Sequence, residues 1–481
     1  MPPSVALLSR ILILKNHGFK VDLFDTTDYA LDLSRDYERL TQESLGFRPA
    51  PFRELEKIDC DPWKDLNDKI NSFQPNLIAM SCTESTFLLG LKVLQHIEHR
   101  SPRDIPVILG GSFATFAPKR ALDFPEIDIV CVGEGEKPLL ELCQRMEQGK
   151  SWQDVAGLAF RDRFGMAHQN PPPPLVNMDE NPTDFDLGIF DPKRLIRPMD
   201  GVHYRMAPVE TIRGCVYHCA FCNSADTGGR KKSIWNVREE LLYYRDVHHI
   251  EYNFFWADTF LMMSRSELDA FCEMYQDVRL PFWVQTRVET ITDWRLKKLK
   301  DAGLHHIAFG IENGDEKFRQ KVVRKEFTNA EAVEALEITA AMGVTYNTNN
   351  IVGYPHETRE IAIETIELNR LFPKVEATNC FTFTPYYGTP ARDQAVEAGF
   401  MDRDSIAAGL AEDSILDMPQ FPKEEIRKFR LGFSLLVKFD KSRWSEIWRA
   451  LEDTPESHAD LQALQAEYRQ TYFGEPKFRS L

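Results

Sequence analysis

The sequence lacks a long apolar run, an export leader and an excess of basic charge. No uninterrupted apolar stretch reaches the roughly 18 residues that a membrane-spanning helix needs. The N-terminus has no succession of basic region, apolar segment and small-residue cleavage site. We therefore expect a cytoplasmic protein without a membrane span. Lys and Arg number 58 against 74 Asp and Glu, and this formal charge of −16 argues against a surface built to bind nucleic acid.

Cysteine is scarce outside one loop. The chain has nine cysteines, and six of them are scattered singly along 481 residues, which argues against the disulfide framework of a small secreted protein. The other three, Cys215, Cys219 and Cys222, fall within eight positions. The length suggests two to three domains, and 43% hydrophobic with 11% aromatic residues is typical of a folded globular protein. The scattered cysteines suit ordinary buried thiols, whereas the clustered three indicate a site.

Short apolar segments alternate with helix-like segments over residues 1–150. This alternation predicts a Rossmann-like, doubly wound parallel sheet, an α/β fold whose ligands bind beyond the carboxyl ends of the strands. Residues 5–17 are helix-like, so the first strand of such a domain is apparently missing. The strands are predicted at 19–25, 76–82, 105–111 and 127–133.

The turns after these strands carry the candidate ligand contacts of the first domain. Glycine at such a turn lets a ligand approach the backbone closely, and small polar residues offer hydrogen bonds. A tight turn without any ligand fits the glycines equally well. The candidates are Ser81, Thr83, Gly110, Gly111, Ser112, Gly133, Glu134 and Gly135.

The character of the sequence changes after the first domain. Residues 151–204, with a hairpin-like segment at 157–167 and four consecutive prolines at 171–174, predict a linker. Residues 205–395 predict a partial (β/α)6 barrel of the TIM type, with its chemistry at the carboxyl ends of the strands. Residues 396–481 predict a C-terminal helical cap over the barrel mouth. The six barrel strands are predicted at 209–214, 251–256, 282–287, 305–312, 345–353 and 377–386.

The cysteine loop follows the first predicted barrel strand directly. Three thiolates this close together bind a soft metal centre, either zinc or an iron–sulfur cluster. A closed structural zinc site takes four ligands, and His218 between the cysteines is the candidate fourth. Three cysteines on a four-iron cluster leave one iron open for a small molecule. We therefore favour a [4Fe–4S] cluster held by Cys215, Cys219 and Cys222.

The spacing C-x3-C-x2-C, with Phe221 before the last cysteine, resembles the signature of radical S-adenosylmethionine (SAM) enzymes. Four later segments resemble further motifs of that family in the family's order: WADTF (256–260), GIENG (310–314), VGYPHET (352–358) and YYGTP (386–390). The resemblance implies that SAM binds the open iron and that one-electron reduction releases a 5′-deoxyadenosyl radical. It also implies cofactor contacts by Phe221, Asp258, Arg287 and Glu312.

The first domain resembles a second known pattern. Residues 107–122 and 127–142 are similar to the cobalamin-binding domain that precedes the barrel in one large subgroup of radical SAM enzymes, the class B methyltransferases. No D-x-H-x-x-G sequence occurs, which fits a cobalamin with its own base displaced, as in that subgroup. The resemblance implies three cofactors, namely a [4Fe–4S] cluster, SAM and cobalamin.

The two resemblances together imply a cobalamin-dependent radical SAM enzyme that methylates an unactivated carbon. Two alternatives stay open: a radical cyclisation, rearrangement or oxidation with the same cofactors, and a corrinoid- or metal-binding protein without activity. The expected partners are a small-molecule, lipid or peptide substrate and an electron donor such as flavodoxin or ferredoxin, and no nucleic acid.

Overall fold

Two sheets organise the chain. In the described residues the strands form a five-stranded sheet, a seven-stranded sheet and a two-stranded ribbon. The predicted α/β class is confirmed, with a Rossmann-like sheet first and a barrel-type sheet second. The computed structural model describes residues 5–29, 45, 61–98, 105–180, 186–225, 227–407, 409–452 and 454–474.

The first sheet combines a parallel part with an antiparallel hairpin. Its first three strands are parallel to one another, and the last two pair antiparallel. The predicted hairpin therefore forms and extends this sheet. The strands, in their order across the sheet, are β1 (Ile78–Ser81), β2 (Val107–Gly110), β3 (Ile129–Cys131), β4 (Leu158–Arg161) and β5 (Ala167–Gln169).

Among the described residues, the segment 19–25 joins no sheet, so the prediction of a strand there is wrong. Lys69 Nζ donates to the carbonyl oxygen of Leu23 at 2.7 Å and lies 2.9 Å from Asp22 Oδ1. A side chain thus occupies a backbone acceptor that a neighbouring strand would use. Phe24 still packs against the core of the first domain, which explains the strand-like apolar pattern.

The N-terminal helix, Val5–Asn16, lies between the two halves of the chain. Leu8 and Leu12 pack into the core of the second sheet with Ala207 and Val209. On the same helix, Ser9 and Arg10 contact Glu136 of the first domain. The predicted helical start is confirmed, and it joins the two halves.

The second sheet contains six parallel strands, five of them at their predicted positions. The first, predicted at 209–214, instead runs from Val202 to Glu210, and Ile212–Arg213 belongs to a separate ribbon. An additional strand, β6, pairs antiparallel with β7 at one edge. The order across the sheet is β14-β13-β12-β11-β10-β7-β6. The strands are β6 (Ile196–Met199), β7 (Val202–Glu210), β10 (Tyr252–Trp256), β11 (Phe282–Thr286), β12 (Leu304–Glu312), β13 (Thr345–Val352) and β14 (Ala377–Thr382). A ribbon of β8 (Ile212–Arg213) and β9 (Arg230–Lys231) follows β7.

The outer faces of the barrel strands bury apolar side chains under helices, whereas the inner face is partly polar. Phe255, Phe282 and Ile307 belong to the outer core. On the inner side Asn379 Nδ2 donates to Asn349 Oδ1 at 2.8 Å. Alternation along each strand produces these two faces. The helices of at least seven residues after the first are Pro62–Phe73, Glu84–Gln95, Glu136–Glu147, Ile234–Val247, Arg265–Tyr275, Asp293–Ala302, Asn329–Ala341, Arg359–Arg370, Pro390–Glu397, Lys423–Lys438, Trp444–Ala450 and Pro455–Tyr468.

The C-terminal region is helical, as predicted, but its first helix does not cover the barrel mouth. Helix Lys423–Lys438 packs on the outer face of β14, where Thr378 Oγ1 donates to Ser434 Oγ at 3.2 Å. Phe429 and Phe433 are buried at this contact. The helix therefore continues the outer helical layer past the last strand. Across the described ranges, no helix is both long and apolar enough to cross a membrane.

Candidate active site

The cysteine loop is closed at its base by the ribbon of β8 and β9. Gly214, which precedes the first cysteine, has a positive φ of 87°, and a Cβ there would collide with the carbonyl oxygen of Gly228. The amide N–H of Cys215 donates to Thr227 Oγ1 at 3.2 Å, and the Thr227 hydroxyl donates to the carbonyl oxygen of Ser224 at 2.7 Å. Glycine and threonine thus hold the loop at the carboxyl end of β7.

The three thiols of this loop have different surroundings. Cys215 is buried, with its Sγ 3.6 Å from Thr259 Oγ1. Cys219 Sγ accepts a hydrogen bond from Arg287 Nη1 at 3.1 Å. Burial raises the pKa of Cys222 to about 11, and Asp258 contributes to that rise. Such a thiol ionises when a metal stabilises its thiolate.

The donor set fits an iron–sulfur cluster. In the described residues no three His, Cys, Asp or Glu side chains converge on one ion, as a Cys3His zinc site would require. In a cluster each thiolate binds a different iron, so the sulfurs need not meet at one point. His218 is exposed on the loop. The residues present therefore suit the cluster that the spacing predicts.

Arg287 is fixed beside the cysteine loop. Its guanidinium lies 3.9 Å from the ring centroid of Tyr217, and its Nε donates to Glu289 Oε1 at 3.1 Å. Burial alone would lower the pKa of Arg287, but Glu289 and Cys219 outweigh it and raise that pKa. A guanidinium held in this way keeps one N–H directed at the Cys219 sulfur.

Asp258 follows β10 and Glu312 ends β12, two barrel strands that are separated by β11. Burial raises the pKa of Asp258, although bonds to Ser224 and to the Gly214 backbone oppose the shift. Glu312 is 7% exposed and has a φ of 69°. It pairs with Lys325 Nζ at 3.1 Å. Lys325 was not a sequence candidate, since no motif distinguishes it from the other basic residues of its segment.

Phe221 packs against an unusual tyrosine. Its ring centroid is 6.1 Å from that of Tyr354, which also contacts Phe318 and Phe383. The Tyr354 side chain is fully buried, and its hydroxyl has no hydrogen-bond partner in the described structure. Burial raises the pKa of Tyr354 well above its usual value, with Glu312 and the loop thiols among the contributing groups. An orphaned donor here suits a site that holds a further acceptor.

Glu357 organises the turn that carries Tyr354. Its Oε2 accepts from the backbone N–H groups of Gly353 at 2.5 Å and Tyr354 at 3.0 Å. Its Oε1 accepts from Asn313 Nδ2 at 2.8 Å. The carboxyl group is completely buried, and burial raises the pKa of Glu357 to about 8. One side chain thereby joins the segment after β12 to the turn after β13.

Replacing Glu357 with alanine is expected to destabilise the fold strongly. Three buried donors would lose their acceptor, and each unsatisfied group costs about 1–3 kcal/mol. We expect the urea unfolding midpoint to fall well below that of the wild type. Glu364→Ala, an exposed carboxylate on the next helix, is the matched control and should leave the midpoint unchanged. Equal midpoints for the two variants would contradict this role of Glu357.

The strand ends of the first domain present open glycine turns. A Cβ built on Gly110 or Gly133 meets no atom within 4 Å, so the space above these residues is free. A Cβ on Gly111, where φ is 100°, would collide with the carbonyl oxygen of Cys82. The exposed Ser81 ends the neighbouring strand β1, the exposed Thr83 follows it, and Ser112 begins a short helix, Ser112–Phe116. This open edge suits the flat face of a corrinoid, which the sequence places here.

Glu134 and Gly135, also predicted to touch a ligand, are engaged elsewhere. Glu134 pairs with Arg213 Nη1 at 3.0 Å and with Arg230, and its Oε2 accepts from the N–H of Val176 at 2.8 Å. Gly135 packs against Arg10, so a Cβ would lie 2.7 Å from its Nε. Both residues therefore lie at the contact between the two halves of the chain, although they directly follow the open turn at Gly133.

Arg213 is the centre of this contact. It lies two residues before Cys215 and pairs with Glu136 at 3.0 Å and with Glu210 at 2.8 Å, in addition to Glu134. Glu136 is fully buried. Burial alone would lower the pKa of Arg213, but the three carboxylates raise it. The first domain thus holds the N-terminal end of the cysteine loop.

A second buried carboxylate, Glu84, reaches the other end of the loop. It accepts from the N–H groups of Tyr387 at 2.9 Å and Ala407 at 2.8 Å, and it lies 3.4 Å from Arg392 Nη1. The carbonyl oxygen of Tyr387 in turn accepts from Asn223 Nδ2 at 3.0 Å, next to Cys222. The sequence places Glu84 in the same turn after β1 as the candidates Ser81 and Thr83, but it does not predict these contacts with the barrel half of the chain.

Two family models match the two halves of the chain. Residues 209–368 match the model described as the Radical SAM superfamily, and residues 53–143 match the B12 binding domain. Together the two matches cover more than half of the chain, in the order that the sequence motifs predict. The chain belongs to the cobalamin-binding radical SAM enzymes.

Individual members of this family are similar over most of the chain. An uncharacterised methyltransferase of Pyrococcus horikoshii is 27% identical over 76% of this chain and 79% of its own length. The anaerobic magnesium-protoporphyrin IX monomethyl ester cyclase of Cereibacter sphaeroides is 28% identical over 68% of this chain and 54% of its own. The radical SAM methyltransferase TsrM of Kitasatospora setae, solved with cobalamin and a [4Fe–4S] cluster, has the same fold, with a TM-score of 0.62, 16% identity, and coverage of 96% of this chain and 88% of TsrM.

Proposed function

We propose that this radical SAM enzyme is a methyltransferase that acts on an unactivated carbon of a small-molecule, lipid or peptide substrate. The proposal rests on the direct contact between the cysteine loop and the first domain. A loop of three thiols lies at the carboxyl end of the barrel, and Arg213 at its base is bonded to the domain whose glycine turns are open. When bound, the cluster supplies the electron that cleaves SAM, and methylcobalamin supplies the methyl group.

On the barrel side, the chain's own residues have distinct roles in this proposal. Arg287 donates an N–H to the Cys219 sulfur, which withdraws charge from a thiolate and tunes the potential of the centre. Asp258 and Glu312 offer carboxylate oxygens to the ammonium group of SAM. Phe221 packs behind the last cysteine. The cluster ligands are Cys215, Cys219 and Cys222.

On the first-domain side, the open turns would accept the corrinoid. Backbone at Gly110, Gly111 and Gly133 allows a flat ring to approach, because these residues carry no side chain. The hydroxyl groups on this edge offer hydrogen bonds to the amide groups at its rim. They belong to Ser81, Thr83 and Ser112.

A second candidate function is radical cyclisation with the same cofactors. The 28% identical cyclase favours it, although this chain spans about half of that relative's length. The two reactions differ in the fate of the methyl group. A methyltransferase moves it to the product, whereas a cyclase forms a new ring without it.

Labelled SAM tests the proposal and separates it from the alternative. Anaerobically reconstituted enzyme with cobalamin, a chemical reductant and CD3-labelled SAM is expected to transfer the label to a substrate, detected by mass spectrometry. A product that forms with 5′-deoxyadenosine but carries no label would reject methylation in favour of cyclisation or oxidation. Failure to form 5′-deoxyadenosine would reject the radical reaction itself.

A further inference from the structure

Three exposed cations line a short segment that touches the cysteine loop. The cationic ridge comprises Lys317, Lys321 and Arg324. Lys317 lies on the helical turn Glu316–Phe318, Lys321 lies on the π-helical turn Arg319–Val323 that continues it, and Arg324 follows directly. The carbonyl oxygen of Val323 accepts a hydrogen bond from the N–H of Ala220, between the second and third cysteines, at 2.9 Å. The ridge therefore adjoins the backbone of the cysteine loop.

The segment is held rigidly from below. Arg319 is fully buried and donates to the carbonyl oxygens of Asn313 at 2.8 Å and Phe327 at 2.7 Å. Lys325 is buried too, and it donates to Gly310 and pairs with Glu312. The basic residues of this segment thus divide into an inward pair that anchors it and an outward set that faces solvent. Anchored side chains keep the outward charges at fixed positions.

The ridge carries net positive charge. In the other basic segment near the cysteine loop, residues 230–232, each cation is paired with a carboxylate. Arg230 pairs with Glu134, Lys231 with Glu267 at 2.7 Å, and Lys232 with Glu240 at 2.5 Å. On the ridge segment Glu326 is the exposed carboxylate, while the half-buried Asp315 and Glu316 accept from the backbone N–H groups of Phe318 and Asn329. The chain as a whole has a formal charge of −16. An acidic partner is therefore repelled by most of the surface and attracted here.

We propose that the cationic ridge is the docking surface for a small acidic protein that carries one electron to the cluster. The inference rests on the proposed function, in which the cluster must be reduced. One electron leaves the carrier and enters the cluster, and no bond forms or breaks in that transfer. The cysteine loop itself exposes Val216, which is 49% accessible, as an apolar contact beside the charged ones.

The test uses the reconstituted holoenzyme and a flavodoxin hydroquinone as the probe. In the variant K317E/K321E/R324E, the second-order rate of cluster reduction, followed by stopped-flow absorbance at low ionic strength, is expected to fall about tenfold or more. The difference from the wild type should shrink at high salt, because the charges are then screened. Reduction by photoreduced 5-deazariboflavin, which is uncharged and small, should keep the wild-type rate.

A variant of equal charge serves as the control. K20E/K150E/K374E reverses three exposed lysines elsewhere on the surface and should reduce the flavodoxin rate far less. The proposal is overturned if both variants slow cluster reduction by flavodoxin equally or if neither variant slows it. It is also overturned if the ridge variant slows reduction by deazariboflavin. Lys321→Gln is a milder change that keeps the test valid if the triple variant folds poorly. It should slow cluster reduction by flavodoxin and leave reduction by deazariboflavin unchanged. Deazariboflavin-reduced enzyme that makes no 5′-deoxyadenosine would refute the proposed function, while the reduction rates would still decide the docking surface.

Discussion

Replacing Cys222 with alanine is expected to abolish both iron binding and the formation of 5′-deoxyadenosine. Two thiolates anchor a cluster poorly, because one iron then lacks its protein ligand. The wild type, reconstituted without oxygen, should hold about four iron and four sulfide per chain. Iron and sulfide assays, with the brown absorbance of the cluster, measure the loss.

Cys272→Ala provides the matched control for this experiment. Cys272 is a buried thiol in helix Arg265–Tyr275, within the outer core of the barrel and away from the loop. Its replacement should leave iron content and 5′-deoxyadenosine formation near the wild-type level. Wild-type protein that binds zinc and no iron would refute the cluster, as would a Cys222→Ala variant that retains it in full.

The barrel was predictable because its signals are local. The six parallel strands alternate with helices along the sequence, and the thiol spacing that indicates the site lies within eight residues. The position of the loop follows from its place directly after the first strand, since functional residues of such barrels lie at the carboxyl ends of strands. A reader of the sequence alone can therefore locate Cys215, Cys219 and Cys222.

The contacts between the halves of the chain were not predictable in the same way. The sequence predicts a ligand contact for Glu134 because this residue lies in the turn after a strand. Its partners, Arg213 and Arg230, are about 80 and 96 residues away along the chain, and no local pattern links them. The same holds for Glu84, whose acceptor role depends on Tyr387 and Ala407. Similarly, no local pattern shows that the backbone of the strand-like segment 19–25 binds Lys69 instead of a neighbouring strand.

Replacing Arg213 with alanine is expected to separate the cysteine loop from the first domain. The change leaves Glu134, Glu136 and Glu210 close together without their shared cation, and Glu136 is completely buried. Removing one partner of a buried ion pair costs about 3–5 kcal/mol. We expect a large fall in the unfolding midpoint, and weaker corrinoid binding measured by absorbance. Arg213→Lys should recover part of both, because it restores the charge without the bidentate geometry.

Arg145→Ala is the control for this variant, since Arg145, on helix Glu136–Glu147, pairs with Glu141 and Asp154 at the surface. Exposed pairs contribute little, so its unfolding midpoint and corrinoid affinity should stay close to those of the wild type. If Arg213→Ala matched Arg145→Ala in both measurements, the contact between the halves would have no energetic importance.

The same contact predicts how stability depends on pH. Burial by itself would raise the pKa values of Glu134 and Glu136, but their arginine partners outweigh it and hold both below the ordinary value of 4.5. The folded state therefore binds fewer protons than the unfolded state as the pH falls from 4.5 to the lowered values. The stabilisation by these carboxylates is complete above about 4.5 and is lost on acidification through the lowered pKa values. The wild type should lose stability over that acid range more steeply than Arg213→Ala, in which the lowering by Arg213 is absent, and parallel curves for the two proteins would contradict the ion-pair origin of the effect.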